Sequence, residues 1–176
     1  MKKNVLVFGV IAGLIVTAMM IWSTAQFYTN ADWQPSAFLG YTTMLVAFSF
    51  IFVAVRNYRD KYNEGSVTFG RAFLIGLYIT LIASVMYVVV WVIDYYLFVP
   101  DFLEKYTGRM MEEAAAKGED TASLQAEMDV YKKLYTNPLY VVLLTFAEIL
   151  PVGLVVSLIV AAILKRKGSN VTATAT

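Results

Sequence analysis

Hydrophobic positions along this chain cluster into four long runs: Val5 to Phe27, Ser36 to Val55, Phe73 to Leu97 and Leu139 to Leu164. Each reaches the roughly 20 residues that a helix rising 1.5 Å per residue needs to cross ~30 Å of hydrocarbon. The pattern predicts an all-α integral membrane protein with four transmembrane helices. Run one, behind Lys2 and Lys3, has the flank of a signal peptide. Its apolar stretch is too long for that and three similar runs follow, so it reads as a first span.

Between runs three and four the pattern changes. Residues 100–137 carry eight acidic and five basic side chains, far more chain than a turn between spans requires. Asp101 follows Pro100 at a helix start, with Glu104 in the first turn to meet the macrodipole. Phe102, Tyr106, Met110 and Ala114 recur every four residues. Gly118 stops that helix, Asp120 or Thr121 caps the next, and Leu124, Met128, Tyr131 and Tyr135 continue at helical spacing. Asn137-Pro138 then opens run four. The insertion reads as a helical hairpin whose two stripes pack on each other or engage a partner.

Charge at the run ends sets the orientation. Lys2, Lys3, Arg56, Arg59, Lys61, Arg71, Lys165, Arg166 and Lys167 all fall on one side if four helices alternate, while Tyr28 to Pro35 holds no Lys or Arg. Both termini are therefore expected in the cytoplasm and the hairpin on the opposite face. Residues 168–176 are small and polar and read as a disordered tail. Their Asn170-Val171-Thr172 sequon would lie on the wrong side for glycosylation. Trp22, Phe27, Tyr28 and Trp33, with Trp91, Tyr95, Tyr96 and Phe98, form an aromatic belt at the outer boundary.

Composition agrees with the bilayer reading: of 176 residues 59% are hydrophobic and 15% charged. A net charge of +1 argues against nucleic acid as a partner. The chain has no Cys and no His, which removes disulfides, thiolate nucleophiles, His general bases and the usual zinc, haem and iron–sulfur ligand sets. No cofactor is expected. The loop Asn63 to Thr68, between Gly65 and Gly70, lacks the spacing of a phosphate cradle.

Only Asp94 and Glu148, among 14 basic and 13 acidic residues, lie inside the runs. Asp94 sits about one turn inside the outer end of run three, within reach of water or of Lys105 and Arg109; structural pairing and cation capture at a cavity mouth both fit. Glu148 lies roughly 15 Å into run four from Pro138. No Lys or Arg stands at that depth in any run, so its partners would be Thr145, Ser49, Thr80, Ser84 or water. Such a residue marks an ion or proton path, or glues helices by hydrogen bonds. Pro151, three residues on, is a hinge candidate. Gly9 with Gly13, and Ala72 with Gly76, give small-xxx-small steps for close packing within the chain or between copies. No internal repeat relates the two halves, which weakens an inverted-repeat transporter.

The stretch Tyr58-Arg59-Asp60-Lys61, Gly65, Thr68-Phe69-Gly70-Arg71-Ala72-Phe73 and Gly76, then Val99-Pro100-Asp101-Phe102-Leu103-Glu104, Asn137-Pro138 and a Lys/Arg-ended last helix resembles the four-helix bacterial membrane family called domain of unknown function 4199, found mainly in Bacteroidota. The resemblance runs from Lys2 to Lys167. It implies a multi-pass inner-membrane protein with a periplasmic hairpin and brings no reaction, substrate or site residue. The expected function is a non-enzymatic interaction or accessory protein that contacts lipid and a membrane or periplasmic protein. The alternative is a small homo-oligomeric transporter or channel subunit moving protons or cations through Glu148.

Overall fold

In a computed structural model describing residues 1–33 and 36–166, six α-helices account for most of the chain. The expected disordered tail, its sequon and Lys167 lie outside the described residues. The helices are α1 (Lys2–Thr29), α2 (Ala37–Tyr62), α3 (Phe69–Ile93), α4 (Phe102–Lys117), α5 (Thr121–Tyr135) and α6 (Pro138–Leu164). Four of these segments, with α3 counted on to Phe98, are long and apolar enough to cross a membrane. Helix α2 runs seven residues past its apolar stretch, through Arg56 to Tyr62, where Arg56, Arg59 and Lys61 are good helix formers and Arg56 pairs with Asp60 one turn on.

The chain divides into two compact units. The first takes Met1–Tyr87 and the residues from Glu148 onward; the second is Val88–Ala147. In the first unit many small and hydroxyl-bearing residues share the interior with large apolar ones. Ala12, Ala47, Ala54, Ala72, Ala83 and Ala161 are fully buried, as are Thr80, Ser84 and Ser157, beside Phe48, Ile51, Ile75 and Ile79. Large aliphatic side chains such as Leu6, Leu14, Leu45, Val53, Leu81 and Ile159 face outward. A water-soluble bundle does the reverse. Lipid is as apolar as leucine, so burying leucine gains little there, and close backbone approach through small residues drives packing instead.

The helix ends of this unit are tied at one pole. Asn4 donates from Nδ2 to the Ala54 carbonyl at 2.8 Å and accepts from Asn57 Nδ2 at 3.1 Å. Arg71 reaches the Met1 sulfur at 3.6 Å. Val67, in the α2–α3 link, exchanges two backbone hydrogen bonds with Arg166 just after α6, at 3.0 and 2.8 Å. The link itself is closed by Asn63, whose side chain donates to the Ser66 carbonyl at 2.7 Å.

The second unit contains the α4–α5 pair, which pack on one another; Ala114 and Met128 are buried. Gly118 ends α4 with φ 71°, a left-handed cap that frees the chain to turn back. Asp120 caps α5 by accepting from the Ala122 amide at 3.0 Å. Asp101 does not cap α4; its carboxylate takes Lys105 as an i,i+4 partner at 2.8 Å. Phe102, Tyr106, Met110, Leu124 and Tyr135 of the expected stripes are half-buried, while Tyr131 is exposed.

Candidate functional site

Glu148 lies on an outer face of α6. Its side chain is exposed, as are Pro151, Val155 and Ala162 at helical spacing on the same face. The buried side of the helix follows a different line, through Ile149, Gly153, Ser157 and Ala161. None of the four hydroxyls expected to meet Glu148 does so. Thr145 donates back to the Val141 carbonyl at 2.7 Å, and Ser49 to Val46 at 2.6 Å. Thr80 faces Ser157 at 3.4 Å, and Ser84 Oγ is buried with no hydrogen-bond partner. A hydroxyl that bonds a carbonyl three or four residues back in its own helix has used its one donor proton there. Glu148 makes no hydrogen bond or ion pair with any described residue. Pro151 stands inside α6, which continues as helix on both sides of it.

Asp94 opens a π-helical turn, Asp94–Phe98, that directly continues α3. The Val99 amide donates to the Asp94 carbonyl at 2.9 Å, five residues back. One extra residue in the turn is a feature that recurs at functional sites. The carboxylate is half-buried, and its Oδ2 accepts no hydrogen bond from any described residue. Lys105, a partner expected for it, pairs with Asp101 instead. The reason is local: on a helix, i,i+4 neighbours need no ordering of distant chain to meet.

Around this turn the aromatic residues form a continuous set of edge contacts. Tyr95 stands edge-on to Tyr135 with centroids 5.2 Å apart, and Trp91 to Phe102, also at 5.2 Å. Tyr95 also meets Tyr96 at 5.1 Å, and Phe102 stacks on Tyr106 at 5.7 Å. In the other unit Trp22 meets Trp33 edge-on at 4.9 Å. The rings thus brace one another as well as offering amphipathic edges.

The small-residue steps lie where helices meet. A Cβ added at Gly9 would stand 2.9 Å from Ile82 Cβ, and one at Gly13 would stand 2.5 Å from Met86 Sδ, so α1 runs against α3 there. Gly76 faces Ser157, with Oγ 2.5 Å from such a Cβ, and Ile51 at 3.0 Å. Ala72 is fully buried. Sequence reasoning missed Gly153, the glycine that packs α6 on Thr80 and Phe48, although Gly153, Ser157 and Ala161 repeat the small-xxx-small spacing that could have found it.

Among the described residues no three Asp and Glu side chains come together as a hard-cation site would need. The chemistry on offer is that of two separate carboxyls, one on the outer face of α6 and one at a π-turn. Neither a curated protein nor a solved structure matches the chain. The model of the family described as Protein of unknown function (DUF4199) matches residues 7–166, nearly the whole sequence, and the chain belongs to that family.

Proposed function

We propose that this is a multi-pass protein of the bacterial inner membrane, with both termini cytoplasmic, whose periplasmic α4–α5 pair engages another membrane or periplasmic protein without catalysing a reaction. The observation that carries the reading is the character of that pair. Ala114 and Met128 of its apolar stripes are buried, while Glu104, Lys105, Glu112, Lys117 and Asp129 remain exposed. An ordered helical pair with its charged side chains outward offers a partner the polar contacts of an interface rim. The orientation is supported by the pole where Met1, Asn4, Val67, Arg71 and Arg166 meet, since it gathers the basic residues that stay on the cytoplasmic side.

The natural absence of cysteine makes the orientation directly testable. Lys117→Cys should react with an impermeant maleimide on intact spheroplasts, and Ser66→Cys only after permeabilisation; the reverse result overturns the topology. For the interaction, native-detergent affinity capture with full-length protein is compared with a variant lacking residues 101–137. Equal recovery of every partner from both forms would remove the role assigned to the pair.

One observation favours a second reading. Glu148 is an unpartnered carboxyl at mid-helix, and such groups mark proton or cation paths. A transporter or channel subunit built on it predicts flux in proteoliposomes that Glu148→Gln abolishes. Equal flux in both forms would sink that reading.

A further inference from the structure

We propose that a second copy of this chain covers the Glu148 face of α6, with the two Glu148 carboxyl groups hydrogen-bonded to each other across a two-fold axis along the membrane normal. This rests on the reading that α6 crosses the membrane and is independent of what the α4–α5 pair binds.

The argument begins from depth. Glu148 is the eleventh residue of the 27-residue helix Pro138–Leu164, roughly 15 Å from its start and about 24 Å from its end, and so deep within a ~30 Å hydrocarbon layer. Its side chain is short, so it cannot reach headgroups as Lys and Arg do. It faces outward, and no described residue of its own chain satisfies it. Bare exposure to lipid tails would leave a polar group uncompensated, at a cost of several kcal/mol. The cover must therefore bring a polar group to the same depth.

A second copy supplies it. No Lys or Arg lies at that depth in any of the four apolar helices, so an ion pair between copies is ruled out by sequence. A neutral carboxylic acid carries one O–H donor and a carbonyl acceptor, and is thus complementary to itself. Copies inserted with the same orientation bring residue i to its own equivalent about an axis along the membrane normal, and a pair of carboxyls that satisfy each other mutually calls for the two-fold. The face around Glu148 suits this: Ala147 and Ala162 are small, Pro151 and Val155 are apolar, and all are exposed. It is distinct from the Gly76, Gly153 and Ser157 line, which is already occupied within the chain.

The test uses full-length protein in lipid vesicles. Val155→Cys, two turns from Glu148 on the same face, should form an intermolecular disulfide on mild oxidation. Leu45→Cys, equally exposed on α2, should not. Adding Glu148→Leu to Val155→Cys should lower the dimer yield by about tenfold, the effect of losing an interhelical hydrogen-bonded pair. Glu148→Gln keeps a self-complementary amide and should hold the yield within about threefold. Insertion of every variant is checked by maleimide labelling at Lys117→Cys. Inserted protein with no Val155→Cys dimer, equal dimer from Leu45→Cys, or indifference to Glu148→Leu each overturns the proposal. Failure of the parent chain to insert overturns the membrane reading itself, and the proposal with it.

Discussion

Gly153 of α6 and Thr80 of α3 approach so closely that a Cβ on the glycine would stand 2.6 Å from the threonine hydroxyl oxygen, with Phe48 Cζ at 2.9 Å. Thr80 is fully buried and faces Ser157 one turn further along α6. Small residues thus seat α6 against α3, and the contact has no spare volume.

Replacing Gly153 with Leu forces the helices apart and should cost about 1–3 kcal/mol or more. The midpoint of thermal unfolding in detergent, followed by far-UV circular dichroism, measures it. Gly40→Ala is the control, because nothing lies within 4 Å of a Cβ there. It should leave the midpoint unchanged or raise it, as alanine is the better helix former.

Asn4 links α1 to α2 through the Ala54 carbonyl and the Asn57 amide. Asn4→Leu strips Asn57 of its partner in a half-buried setting and should destabilise by about 1–3 kcal/mol. A double-mutant cycle with Asn57→Leu should return a coupling of roughly 0.5 kcal/mol or more. Additive single effects would show that the pair is incidental.

The Tyr95–Tyr135 contact bridges the π-helical turn and the end of α5. Tyr135→Ala removes an edge-on ring worth about 0.5–1.5 kcal/mol beyond its buried area, whereas Tyr135→Phe keeps the ring. Amide exchange in α5 should therefore quicken several-fold in the alanine variant and change less in the phenylalanine one. Equal acceleration in both would place the effect on the hydroxyl.

Glu113 accepts a hydrogen bond from Lys117 one turn on in α4 and so raises the lysine above its ordinary value of 10.5. A raised lysine contributes stability that is whole below the ordinary value and is lost as pH rises through the raised one. Helicity of α4 should therefore be flat from neutral to mildly alkaline pH and fall only in that alkaline window. Nitrogen-15 titration of the Lys117 ammonium reads the shift directly. Glu113→Gln should move it back towards 10.5, and molar salt should do so in part, because the pair is exposed.

Helix identity along most of this chain was legible, since hydropathy accumulates over about 20 residues and tolerates local error. The α4 and α5 stripes were legible for a related reason: a helix beside water must choose a face, and Ala114 and Met128 lie on the one it chose. The turn at Asp94–Phe98 was not legible. One residue inserted into a helical ladder leaves no trace in composition or periodicity.

By itself the sequence determined that the chain holds four helices fit for hydrocarbon, a charged pair between the last two, a link between the first two without Lys or Arg, and two carboxyls in apolar surroundings. Only the tertiary structure decided which way those carboxyls turn. A helix apolar on every side carries no hydropathic phase; its sequence cue is the small-residue line Gly153, Ser157 and Ala161, and which neighbours meet that line is set by packing. Packing settles it by backbone approach: Gly153 and Ser157 take the inside of α6, because only small residues fit there. Glu148 is left on the outer face as a consequence.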